Sequence, residues 1–199
     1  MTYNPQWAVT FSAPGSREED IAADLRERGD LAGAEAAVRK ALESLARKGG
    51  AGIAGYLPLL DSLALTLMVA GRLAEAVGTL EEALAVSEQA LGESHKDTLT
   101  RASNLGLACS SLGERERAVE RLRKVRDLQT RLLGPGDRET LSAEGNLAVA
   151  MSKDVPVAET VAAFERILAG MERVMPEDSV QVRMARHNVD EARKLLSLM

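Results

Sequence analysis

The sequence predicts an all-α protein built from repeated pairs of helices, and three observations support this prediction. Alanine and leucine dominate the composition, whereas aromatic residues make up only 3% of the 199 residues. This balance favours helix over strand. Apolar side chains recur at helical spacing within short segments. The same pattern of side chains then returns every 42 residues without a gap, which is typical of a repeat array.

The 42-residue period is visible in five columns of equivalent positions. Before the helix break lie Ile21, Leu63, Leu105 and Leu147. At the break lie Gly29, Gly71, Gly113 and Val155. After it come Ala34, Ala76, Ala118 and Thr160, then Val38, Leu80, Leu122 and Phe164, then Ala41, Ala83, Val125 and Ile167. Since all five columns keep the same phase, the chain is predicted to stack similar modules along one axis.

The third repeat shows best how each module divides into two helices. An apolar stripe at helical spacing predicts its first helix, and Gly113 ends that helix. The stripe of the second helix begins at Ala118, a small residue that allows close helix packing. This helix ends at the turn cluster Leu133–Asp137, and the second repeat has the equivalent stop at Leu91–Ser94.

The remaining segments follow from this register. The chain divides into an N-terminal tail at 1–16, four repeats at about 17–55, 56–97, 98–139 and 140–177, and a capping helix at 178–199. The first repeat has an irregular connector, ARKGGAGIAG, and the fourth has Val155 and Thr160 in place of glycine and alanine. The last segment matches a first helix through Asn188 and Val189 and then stops, as the end of a solenoid requires.

The string from Asn104 to Leu122, N-L-G-x-A-x-x-x-x-G-x-x-x-x-A-x-x-x-L, resembles the tetratricopeptide repeat. The connectors Leu91–Leu99 and Leu133–Leu141 are similar to those of the 42-residue variety found in kinesin light chains and in many bacterial regulators. The resemblance covers about residues 17–199. It implies a right-handed α-solenoid of about four helix-turn-helix units whose first helices line a concave, peptide-binding groove.

The resemblance also implies which side chains face that groove. These are Asp61, Leu65, Met68, Ser103, Asn104, Leu107, Ser111, Asn146, Val149, Lys153 and His187. Apolar and small residues dominate this set, and the Lys and Asn clamp that the family uses for acidic tails is missing. We therefore expect an extended or helical peptide with apolar anchors, whose main chain Asn104 and Asn146 would hold. The alternative is that Leu65, Leu107 and Val149 only pack against neighbouring helices.

The N-terminal tail carries Tyr3, Trp7 and Phe11, three of the five aromatic residues in the chain. A free tail rarely carries so much apolar surface, so we expect Trp7 and Phe11 to dock on a groove of the same chain or of a second subunit in a homodimer. A disordered tail is the alternative.

Charges alternate between the second helices of neighbouring repeats. The second repeat is acidic there and the third is basic, with Arg126 in a column otherwise filled by Leu42, Leu84 and Leu168. A basic patch for an acidic partner is one interpretation, and a solvated face of ordinary surface pairs is the favoured one. Arg126 is expected either to reach a partner or to extend out of the packing.

Several chemical classes are not expected. Gly50–Gly55 fits G-x-G-x-x-G but follows a helix, not a strand, so we predict a flexible connector. His95 and His187 form no metal-ligand pattern, and His95 is predicted to have a structural role in its turn. Cys109 lies on an apolar stripe and is predicted to be buried and inert. No cofactor or metal is expected.

The sequence thus predicts a non-catalytic protein- or peptide-binding scaffold, an adaptor or regulatory subunit, and not an enzyme. Its net charge of −5 argues against nucleic acid, and its short apolar stretches argue against a membrane. A single cysteine fits the reducing cytoplasm. The alternatives are a self-associating assembly module and a small-molecule sensor or enzyme accessory subunit.

Overall fold

A computed structural model of the chain describes residues 17–47 and 53–199, with side chains from residue 55 onward in the second range. The predictions for Tyr3, Trp7 and Phe11 lie outside the described residues. The described part contains helices and turns but no strand. The helices are α1 (Arg17–Glu27), α2 (Leu31–Arg47), α3 (Ile53–Val69), α4 (Leu73–Leu91), α5 (Lys96–Leu112), α6 (Arg115–Leu133), α7 (Arg138–Met151), α8 (Val157–Val174) and α9 (Val180–Ser197).

Each of the four segments that the period defines holds one pair of helices, and α9 lies in the last segment. Helices α3, α5 and α7 begin two or three residues before the start of their segments. By their contacts, the described helices fall into two compact units, α1–α5 and α6–α9. Within each unit, consecutive helices pack against one another. The predicted all-α class with packed helix pairs is therefore confirmed.

The core of the α1–α5 unit is built from the columns of the repeat. Ala34, Val38, Ala76 and Leu80 are all fully buried, and Leu63 is 4% exposed. Each apolar side chain removed from water in this way contributes about 1–3 kcal/mol. Since one helix cannot cover its own stripe, these contacts require the helices to form pairs and the pairs to stack.

The α6–α9 unit has the same design with larger side chains. Val149, Val161, Phe164 and Val189 form one buried cluster across α7, α8 and α9. A second cluster joins Leu141 of α7 to α8 and α9. The capping helix is therefore packed as the first helix of a further repeat would be, which is how a terminal repeat covers its neighbour.

The predicted stop at Gly113 is observed, with a backbone conformation that favours glycine. Gly113 has φ +94° and its N–H donates to the carbonyl oxygens of Cys109 and Ser110. The N–H of Glu114 also donates to the Cys109 carbonyl oxygen, at 2.9 Å. These bonds satisfy the carbonyl groups that the end of α5 leaves without partners, so the helix ends where the repeat pattern places its break.

Equivalent residues of three repeats cap the first helices. The Nδ1 atom of His95 accepts from the N–H of Asp97, two residues on, and the side chain of Asp137 accepts in the same way at the start of α7. At the start of α9, the hydroxyl oxygen of Ser179 accepts from the N–H of Val182, three residues on. Each cap pairs a backbone N–H that has no partner inside its helix. The predicted structural role of His95 is thereby confirmed.

The fourth repeat differs where its sequence departs from the period. Helix α7 has 14 residues, whereas α3 and α5 each have 17. Val155 takes the place of the glycine, and the chain turns through Ser152–Val155 before α8. Thr160 is buried in the alanine column, and its hydroxyl donates to the Pro156 carbonyl oxygen at 3.3 Å. The hydroxyl group that Thr160 has and alanine lacks is therefore hydrogen-bonded inside the core.

Among residues 17–47 and 53–199, no helix is both long enough and apolar enough to span a bilayer.

Candidate functional site

The first helices of the α1–α5 unit are linked by side-chain hydrogen bonds. Arg26 of α1 donates from Nη1 to the hydroxyl oxygens of Ser62 and Thr66 on α3, both at 3.0 Å. Helices α1 and α3 are also in direct contact. We call the surface formed by α1, α3 and α5 the first-helix face, and this set of bonds fixes one half of it.

A buried ion pair joins α3 to α5 across the other half of the first-helix face. The guanidinium of Arg101 donates to both carboxylate oxygens of Asp61, at 3.1 Å and 2.7 Å. Arg101 and Asp61 are only 3% and 4% exposed. Arg101 also donates from Nη1 to the Ser87 hydroxyl and to the Asp97 carbonyl oxygen. Such a two-point contact fixes the orientation of both side chains.

Burial raises the pKa of Asp61 to about 6 from its ordinary value of 3.8. Loss of hydration is the largest cause, and the nearby carboxylates of Asp97 and Glu19 act in the same direction. The positive charge of Arg101 opposes them without cancelling them. Because both of its oxygens are bonded to Arg101, Asp61 holds the two helices together and is not exposed to a ligand.

The other predicted groove residues of this unit divide into two groups. Leu65 and Met68 on α3, and Ser103 and Ser111 on α5, are half-buried. Asn104 and Leu107 are 1% and 0% exposed. A side chain with no exposed surface packs against its own protein, which favours the alternative interpretation of Leu107 as a packing residue.

The predicted residues of the α6–α9 unit also differ in accessibility. Asn146 on α7 and His187 on α9 are half-buried, and Lys153 in the turn after α7 is exposed. Val149 is 5% exposed and belongs to the cluster with Phe164 and Val189. Of these four predicted residues, Asn146, Lys153 and His187 keep surface that a partner could contact.

Sequence reasoning did not single out Arg101. Its column holds Arg17, Leu59 and Ala143 in the other repeats, so the column does not mark Arg101 as unusual. Its partner lies 40 residues earlier in the chain. The pairing across two repeats could not be read from a pattern that describes one repeat at a time.

The histidine, cysteine and acidic side chains of the described residues were predicted not to form a metal site. No group of three or more histidine, cysteine, aspartate or glutamate side chains is suited to hold a metal ion in residues 17–47 and 53–199. The Cys109 thiol has no exposed surface, so its predicted burial is confirmed. His95 caps α5, as described above.

Residues 56–131, which run from the start of α3 to near the end of α6, match the model of the tetratricopeptide repeat family. The predicted resemblance is confirmed. The matched residues include the second repeat and most of the third, which are the two most regular copies of the tetratricopeptide pattern. Tetratricopeptide repeats generally serve as scaffolds for protein–protein interaction.

Solved structures of tetratricopeptide type have the same fold. A crystal structure from Podosopora anserina, described as kinesin light chain nearly identical TPR-like repeats, is 21% identical, with 91% of this chain and 86% of that chain covered and a TM-score of 0.70. BtubC (BKLC) from P. vanneervenii is also 21% identical, with 92% and 79% covered and a TM-score of 0.70. No curated protein sequence matches the chain.

Proposed function

We propose that this chain is a non-catalytic scaffold, an adaptor or regulatory subunit, that binds a protein or peptide segment along its first-helix face. The tetratricopeptide fold supports the general role. The choice of this face rests on one observation: α1, α3 and α5 lie side by side, joined by Arg26 and Arg101, with apolar side chains still half-buried on α3.

Leu65 and Met68 are the proposed apolar contacts. Both lie on α3, between the helices that carry the two arginine links, and both retain exposed surface. A partner that covers them removes apolar area from water at about 25 cal/mol per Å². Ser103 and Ser111 beside them would supply polar contacts to the partner's main chain.

In the α6–α9 unit, we propose a smaller contribution from Asn146, Lys153 and His187. An amide, an ammonium group and an imidazole suit a segment with main-chain and acidic groups. Leu107 and Val149 would support the packing of the first helices and would not touch the partner.

The proposal is tested by selecting binders from a random peptide library with the purified chain and with two variants. Met68→Glu places a charge on the proposed surface, whereas Ala85→Glu places the same charge on the exposed face of α4. We expect the chain and Ala85→Glu to enrich the same apolar peptides and Met68→Glu to lose them. Leu107→Glu is unsuitable because it would place a charge at a fully buried site.

Two readouts make the outcome decisive. Circular dichroism must show that Met68→Glu keeps the helical content of the parent chain. Undiminished enrichment by this folded variant would reject the first-helix face as the binding surface.

We further propose a cytoplasmic location, since Cys109 is the single cysteine and is buried as a thiol.

A further inference from the structure

A cleft in the α6–α9 unit lies outside the first-helix face. It has a volume of about 260 Å³ and is lined by α7 and α8, with Arg126 of α6 at its edge. Half-buried apolar side chains, among them Ala148, Met151 and Ala163, lie within it. Pockets for small organic ligands are typically about 300–1,000 Å³, so this cleft is sized for one or two side chains of a protein.

The cleft exists because two leucines of an earlier repeat are replaced by charged residues. Two periods earlier, the positions of Arg126 and Glu144 are held by Leu42 and Leu60. In the α1–α5 unit, Leu60 is 2% exposed in a cluster with Leu57 and Ala83, and Leu42 packs against that cluster. In the α6–α9 unit, Arg126 instead turns to Asp127, with Nε and Oδ1 2.6 Å apart, and the apolar space stays open.

The charges around the cleft differ between its two ends. Glu159 lies at the end near the turn between α7 and α8. Arg166 lies on the same face of α8, seven residues on and about 10 Å further along. Glu144 and Arg126 lie near that second end, each about two turns from the α6–α7 connection.

Three of these charged groups form no ion pair within the described part of the chain. Among the residues that the structure describes, Glu144, Glu159 and Arg166 form no ion pair, whereas several other acidic and basic side chains of this unit do, including Arg186 with Glu172 and Arg193 with Glu165. At the second end, Asp127 neutralises Arg126, so Arg166 is the basic group there that forms no ion pair within the described residues. The first end has one negative charge.

We propose that this cleft docks a helical segment of a partner protein. The segment inserts a long aliphatic side chain over Ala148, Met151 and Ala163. It places an acidic side chain beside Arg166, and a basic side chain beside Glu159. A helix suits the cleft because residues seven apart on a helix share a face at the same 10 Å spacing as Glu159 and Arg166. This surface is separate from the proposed peptide-binding face.

The test uses the full chain labelled with ¹³C at its methionine methyl groups, with Met151→Leu to assign the Met151 signal. The probe is the helical peptide Ac-AAAAEAALAAAKAAAA-NH2. Three peptides of the same length replace its charged pair by two lysines or by two glutamates, or its leucine by glutamine. We expect the first peptide to shift the Met151 signal and to bind at least about fivefold more tightly than the other three.

Variants of the chain distinguish this cleft from a general surface attraction. Arg166→Glu should reverse the preference, so that the two-lysine peptide binds best. Arg126→Leu should weaken all binding because it restores the leucine that fills the equivalent space in the earlier repeat. Arg173→Glu, an exposed site near the end of α8 and outside the cleft, is the matched control and should change nothing.

Three results would overturn the proposal. The first is equal binding of all four peptides, and the second is unaltered preference in Arg166→Glu. The third is a Met151 signal that depends on protein concentration without peptide, which would assign the cleft to a second copy of the chain. Because Met68 and the first-helix face are not altered in these experiments, their outcome is independent of the proposed peptide groove.

Discussion

At the scale of single residues, the buried pair of Arg101 and Asp61 is the clearest polar link between two first helices. The column of Arg101 holds Arg17, Leu59 and Ala143 in the other repeats, and the column of Asp61 holds Glu19, Ser103 and Gly145. Buried ion pairs often add little net stability, but the loss of one partner leaves the other charge without compensation.

Arg101→Leu is therefore expected to lower the free energy of unfolding by about 3–5 kcal/mol. It leaves the Asp61 carboxylate buried without its partner. The double variant Asp61→Leu, Arg101→Leu should recover most of this loss because no buried charge remains. Urea unfolding of the three proteins at pH 7 measures both effects. A single variant as stable as the parent would contradict the role of the pair.

The pH dependence of stability follows from the raised pKa of Asp61. A group whose pKa is higher in the folded chain, here about 6, than its ordinary value of 3.8 binds its proton more tightly when folded. Its contribution to the free energy of unfolding is complete below about pH 4 and is lost as the pH rises through 6.

Relative to Asp61→Asn, the parent chain should thus gain about 2–3 kcal/mol of unfolding free energy between pH 7 and pH 4. Urea unfolding of both proteins across this pH range measures the difference between their free energies of unfolding. Groups that titrate alike in both proteins do not affect this difference. A difference that is constant with pH would show that Asp61 keeps its ordinary pKa.

At the scale of helices, glycines have different consequences at a helix end and within a helix. Gly113 ends α5 with φ +94°, whereas Gly78 lies on the exposed face of α4, and an added Cβ at either site meets no atom within 4 Å. Any difference between alanine substitutions at the two sites therefore reflects backbone conformation and not crowding.

We expect Gly113→Ala to destabilise the chain by about 1 kcal/mol because alanine is strained in the left-handed region. Gly78→Ala should stabilise it by about 0.5–1 kcal/mol because alanine loses less entropy in a helix. Thermal and urea unfolding compare the two. Changes of the same sign would contradict this account of how the first helices end.

At the scale of the whole molecule, the prediction concerns the aromatic N-terminal tail. If Trp7 and Phe11 dock on a groove of the same chain or of a second subunit, deletion of residues 1–15 removes apolar contact from the folded protein. We expect the deletion to lower the melting temperature, or to change the mass measured by sedimentation at several concentrations. An unchanged melting temperature and an unchanged mass would exclude docking of the tail.

Much of the fold was predictable because its signals are local. The spacing of Leu105, Cys109 and Leu112 predicts a helix, and Gly113 ends it through its own backbone conformation. The fourth repeat lacks this glycine, and its first helix, α7, is shorter than α3 and α5. The site was less predictable, since Leu65 and Leu107 share one column but only Leu107 is fully buried.

The sequence by itself determined the helices, their pairing and the period of the array, because backbone preference and apolar spacing act within a few residues. The tertiary structure decided which side chains of those helices remain accessible. It also decided which charges meet, as with Arg101 and Asp61, and where a leucine replaced by Arg126 leaves a cleft. Burial and ion pairing between helices depend on neighbours that are distant in the chain, 40 residues away for Arg101 and Asp61, and no pattern within a single repeat contains that information.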